Sequence, residues 1–98
     1  MRTIAMDRYL VETLMRDLVS HDKKPSAFIV YLQLWLRTHG ESKHTIHQSH
    51  QQLADPTGLS KSAVQIAIKV LLRPHLLHST RKSPTSTPEY TVLRPWLD

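Results

Sequence analysis

A chain of 98 residues, 40% apolar and 21% charged, has the composition of an ordinary soluble folding unit, long enough for one modest core and too short for two. Thirteen Lys and Arg against eight Asp and Glu leave a net charge of +5, which favours a polyanionic partner, nucleic acid ahead of an anionic membrane surface. The absence of cysteine excludes a disulfide framework, a thiolate zinc site and a thiol nucleophile, and suits a reducing cytoplasm.

The densest apolar stretch, Ala27 to Leu36, is interrupted only by Gln33 and reaches about half of the roughly 20 residues that span a bilayer. No membrane association is expected. Charges at Arg2, Asp7 and Arg8 arrive before any long apolar run can form, so a secretory signal is not expected either, and the expected location is cytoplasmic.

Taken in chain order, Met6, Leu10, Val11, Leu14, Met15, Leu18 and Val19 recur at spacings of three and four and predict a first helix over 6–19 with one apolar face. Arg8, Glu12 and Arg16 alternate in sign on its other side, a solvated row. Ser20 to Lys24 reads as a connector, and Pro25 is placed to open a second helix that runs to about His39, with Gly40 as its cap. Phe28, Ile29, Val30, Tyr31, Leu32, Leu34, Trp35 and Leu36 make this helix apolar almost all round, hence the centre of the core. Tyr31 and Trp35 are accordingly core aromatics rather than cofactor-stacking groups.

Thr45 and Ile46 support one short strand. Ser49 with Gln52 forms a capping box that starts a short third helix, ended by Pro56 and Gly58. Leu59 then points inward, and Ser60 caps a fourth helix over 60–73 whose inner face is Val64, Ile68 and Leu71, with Ala63 and Ala67 permitting close approach. Leu77 to Thr80 and Tyr90 to Leu93 read as a hairpin around a long polar tip, where two prolines and four Ser or Thr favour a loop.

The stretch from His50 to Lys69, HQQLADPTGLSKSAVQIAIK, closely resembles the helix-turn-helix signature of bacterial DNA-binding proteins. Ala54 falls where two helices cross, Gly58 where the turn needs a left-handed backbone, and Val64 where the second helix packs back. With the following hairpin, residues 45–96 resemble a winged helix-turn-helix unit of the kind found in MarR-like and GntR-like regulators and in replication initiators. The chain departs from that pattern at Pro56, inside the last turn of the supporting helix. The expected fold is thus mainly α with a small β-hairpin wing, a single domain over 1–98, in which residues 1–40 form a helical scaffold and 45–96 the helix-turn-helix and wing.

The resemblance implies sequence-specific binding of double-stranded DNA by a transcriptional regulator, with helix 60–73 in the major groove. Ser60, Lys61, Ser62, Gln65 and Lys69 fall on the groove side, with Ile66 among them in reach of a thymine methyl. Gln65 is the candidate base reader, because its amide can bind adenine bidentately, while Lys61, Lys69 and Arg73 suit phosphates. Ser49 and Gln51 join the set at the start of the supporting helix, and Arg81 and Lys82, on the 81–88 wing, suit the backbone or minor groove.

Charge points the same way. No acidic residue occurs from Pro56 to Pro88, a span holding five Lys and Arg, whereas the first 40 residues carry six basic and four acidic side chains.

Seven histidines invite a zinc reading through His44, His47 and His50 and the repeat at His75 and His78. That spacing does not gather side chains on one face of a strand or loop, and no metal or other cofactor is expected. Neither paired carboxylates, a glycine-rich phosphate loop nor a nucleophile elbow is present, so an enzyme is not expected. A homodimer through the first two helices is expected from the tendency of such domains to read two half-sites. The rival expectation is a winged-helix protein-interaction module that does not bind DNA.

Overall fold

The computed structural model describes residues 1–97; Asp98, the last residue of the expected domain, lies outside them. Helices dominate, with one small antiparallel sheet. A helical segment over 8–21 leads into α1 (Pro25–Arg37), β1 (Thr45–His47), α2 (His50–Thr57), α3 (Lys61–Leu72), β2 (Leu77–Thr80) and β3 (Glu89–Val92), with single 3₁₀ turns at His39–Glu41 and Pro95–Leu97. No helix among the described residues is long and apolar enough to cross a membrane.

α1 is the hub. Ala27, Phe28, Val30, Tyr31, Leu34 and Trp35 are buried, and the helix packs on α3, on α2, on the sheet and on the second half of the 8–21 segment. The Tyr31 hydroxyl donates to the Leu93 carbonyl at 2.8 Å, so even the polar tip of this core aromatic is satisfied. Burial raises its phenol pKa.

α1 ends at Arg37, short of the expected end at about His39. Thr38 stops it, fully buried, with its hydroxyl donating to Leu34 O at 2.8 Å and its carbonyl accepting from Glu41 N and Lys43 N. Gly40 is therefore not a helix cap. It lies in the 3₁₀ turn, and the left-handed residue that redirects the chain is Ser42 (φ 56°). Space at Gly40 is tight, since a Cβ there would come within 3.3 Å of Ile4 Cγ2 and 3.4 Å of the Trp35 carbonyl, and the Ile4 side chain would have to shift by a few tenths of an ångström to admit it.

The 8–21 segment corrects the first expected helix in two ways. It begins at Arg8 rather than Met6, and it winds wider than an α-helix at Leu10–Leu14 and Asp17–His21, where Met15 N–H reaches Leu10 O and Asp22 N–H reaches Asp17 O at 2.8 Å. The sequence supplies the reason. Leu10, Leu14 and Leu18 are spaced four apart, and four residues of α-helix turn through about 400°, so an α-helical row would drift by about 40° per step. Wider turns take up that drift and keep all three leucines in the core. Met6, Val11, Met15 and Val19, expected on the same apolar face, are exposed instead.

The sheet has three strands, in the order β1-β3-β2, rather than a two-stranded hairpin beside an isolated strand. β1 pairs antiparallel with β3, Ile46 opposite Tyr90, and β2 pairs with β3, Leu77 opposite Val92. Tyr90 and Val92 face the core, as period-two alternation requires.

The chain ends are tied together. The Asp7 carboxylate accepts from Arg94 Nε at 2.9 Å, Arg94 Nη2 at 3.1 Å and Trp96 Nε1 at 2.9 Å, while Tyr9 stacks on Trp96 with ring centroids 4.5 Å apart. Trp35 Nε1 donates to Ala5 O at 2.9 Å, which fastens the extended start of the chain to α1.

Candidate nucleic-acid interface

α2 and α3 owe their geometry to local signals. Ser49 Oγ accepts from Gln52 N at 3.1 Å, and Gln52 Oε1 accepts from Ser49 N at 2.9 Å, a complete capping box. Pro56 lies within α2, and the Thr57 hydroxyl beside it donates to the Leu53 and Ala54 carbonyls at 2.8 and 3.0 Å. Gly58 (φ 76°) then turns the chain, and Ser60 caps α3 through Ala63 N at 3.1 Å. Leu53, Ala54, Val64 and Ala67 are buried where the two helices meet the core.

The outward face of α3 carries Lys61, Ser62, Gln65, Ile66, Lys69 and Arg73, all exposed; Ile66 is 51% exposed. Val64, Ala67, Ile68 and Leu71 fill the inward face. None of the outward residues is acidic, so the positive end of the helix dipole at Lys61 meets no opposing carboxylate in its own first turn. Ser60 faces solvent, but its hydroxyl is engaged by the cap and lies 3.3 Å from Ser62 Oγ. Ser49 is half-buried and equally engaged. Gln51 is exposed and donates to Asp55 Oδ1 at 2.8 Å.

Beyond α3 the β2–β3 connection stands out as a polar turn, in which Ser86 Oγ accepts from Ser83 N at 3.0 Å and donates to Ser83 O at 2.9 Å. Arg81 Nη1 donates to Pro84 O at 3.2 Å while its guanidinium stays exposed. Between this turn and α2 lies an open cleft of about 680 Å³, lined by His47, Gln52, Thr80, Arg81, Lys82 and Thr87 among others.

Two features of this surface are not visible in the chain order. His50, the first residue of α2, is half-buried close to both Arg81 and Lys61; burial, then those two cations, hold its imidazole below the ordinary value of 6.5. The sequence offered only its spacing from His44 and His47, a signal for metal binding; among the described residues no three His, Asp or Glu groups are arranged to hold a metal ion. The second feature is Glu89, just beyond the acid-free span, which enters the cleft, accepts from Thr45 Oγ1 at 3.3 Å and lies 3.5 Å from His47 Nε2. The cations of the hairpin thus have one acidic neighbour.

No protein-family model matches the chain, and neither a curated protein nor a solved structure is found to be similar to it.

Proposed function

We propose that this chain is a winged helix-turn-helix protein that binds double-stranded DNA in a sequence-specific manner and acts as a transcriptional regulator. The observation that carries the reading is the outward face of α3, where Lys61, Ser62, Gln65, Ile66, Lys69 and Arg73 are all exposed and none is acidic. A major groove about 12 Å wide admits one helix, and these are the side-chain types that reach its base edges and flanking phosphates. Gln65 reads a base, and Ile66 meets a thymine methyl. Lys61, Lys69 and Arg73 hold phosphates, while Arg81 and Lys82 on the hairpin engage the backbone or the minor groove alongside.

The test is binding of duplex DNA by the full chain and by a Lys61→Ala/Gln65→Ala/Lys69→Ala variant, followed by fluorescence anisotropy. The three side chains are exposed, so the variant keeps its fold by circular dichroism and loses DNA. Equal binding by both proteins overturns the reading, and no binding by either favours a protein-docking module in its place.

A further inference from the structure

We infer that the N-terminal helical segment is a self-association surface, on which a second copy of this chain packs antiparallel about a two-fold axis passing beside Met15. Val11, Met15 and Val19 are 53%, 39% and 41% exposed. They repeat every four residues alongside the buried row Leu10, Leu14 and Leu18, and the wide turns that hold the buried row in line hold the exposed row in line as well. The result is a straight apolar seam on the outside of a helix whose other apolar row is already in the core. Among the described residues nothing covers it.

Charge beside the seam selects a second copy as its occupant. Arg8, Glu12 and Arg16 are exposed along its outer edge, alternating in sign, with Arg8 Nη2 2.9 Å from Glu12 Oε2. With the axis at Met15, the seam meets itself, Val11 against the partner's Val19 and Met15 against the partner's Met15. The two-fold places both outer edges on the same side of the seam. Glu12 of each copy then lies within about one half-turn of the partner's Arg16, so the symmetric arrangement forms two opposite-charge pairs; the two Arg16 approach each other between them, and the Asp17 carboxylate 3.8 Å from each Arg16 Nε offsets that repulsion. A parallel two-fold would instead put the two charge rows on opposite sides of the seam, where neither meets a partner charge. The antiparallel two-fold is the arrangement in which apolar seam and charge row are satisfied together. This inference does not depend on DNA binding.

Sedimentation equilibrium of the full chain across a micromolar dilution series tests it. The expected result is a reversible monomer–dimer equilibrium. Met15→Glu sets two carboxylates against each other at the axis and weakens dimerisation at least tenfold, while circular dichroism and thermal melting stay close to those of the parent because the side chain is outside the core. The antiparallel register has its own test. Glu12→Lys and Arg16→Glu each weaken the homodimer by setting like charges together at both contacts. An equimolar mixture of the two variants associates more tightly than either alone, because the mixed dimer again places a cation opposite an anion at each of its two contacts. A chain that stays monomeric throughout the micromolar range, a dimer indifferent to Met15→Glu, or a mixture no tighter than its components overturns the inference.

Discussion

α3 and the N-terminal helical segment both bury one aliphatic row in the same core, Val64, Ile68 and Leu71 from one and Leu10, Leu14 and Leu18 from the other, yet their outward faces are opposite in chemistry. The outside of α3 is basic, hydroxylic and amidic, with Ile66 as its main apolar exposure; the outside of the N-terminal segment presents Val11, Met15 and Val19 beside an alternating charge row. Inward faces explain why each helix is where it is. Outward faces carry the distinction between a surface suited to a polyanion and one suited to another protein surface. A helix that spends only part of its apolar face on its own core, as the N-terminal one does, has a reason to be apolar outside that folding does not supply.

That contrast can be broken most strongly on the α3 side. Removing Lys61, Gln65 and Lys69 together takes away one base contact, worth about 1–3 kcal/mol, and two salt-dependent phosphate contacts, so DNA affinity at low salt is expected to fall at least about a hundredfold in an anisotropy titration. The same variant should leave the mass in solution unchanged. Next in size is a change that damages both faces at once. Asp7→Ala strips Arg94 and Trp96 of their shared acceptor at a half-buried site and loosens the tie between the chain ends, with an expected loss of about 2 kcal/mol in denaturant unfolding. If stability is unchanged, the clasp is decoration rather than part of the scaffold. Gly58→Ala tests the turn between α2 and α3 alone: a Cβ meets nothing within 4 Å, so the left-handed φ of 76° sets the cost, about 1 kcal/mol.

The smallest effect expected is a pH dependence. His50 is held below its ordinary 6.5 by burial and then by Arg81 and Lys61, so unfolding lets it take up a proton; its contribution to stability is present above about pH 6.5 and declines as the pH falls. DNA reverses the bias. A phosphate seated between Lys61 and Arg81 offsets their repulsion and lets His50 take up a proton on binding, so affinity rises a few-fold as the pH falls from about 7 to 6. His50→Gln flattens that part of the profile, and an unaltered profile would remove His50 from the interface.

Much of the fold was legible because its determinants are local. The capping box at Ser49, the left-handed turn at Gly58 and the Ser60 cap all act within four residues, and the expected limits of the helices on either side agree with the structure to within a residue or so. The β2 strand was legible from its own run of residues. What escaped was what depends on distant partners. β1 pairs with β3, more than 40 residues away; Gly40 packs closely under Ile4, from before α1 in the chain; and Asp7 closes on Arg94 and Trp96 at the far end of the chain. The first helix was misjudged for a different reason. A pattern of seven apolar residues at spacings of three and four reads as one face, but the four-residue repeat contains two rows, and only one of them is buried. At the candidate interface, the exposure of the outward α3 residues followed from helical period, whereas the approach of His50 to Arg81 and Lys61 required the hairpin to be folded back beside both helices.

The most direct test of the central proposal is the salt dependence of binding to random-sequence duplex DNA. If Lys61, Lys69, Arg73, Arg81 and Lys82 all neutralise phosphates, log affinity should fall against log salt with a slope of about −4.5 per copy. A slope near zero, or no binding at low salt, would contradict a DNA-binding role for this face.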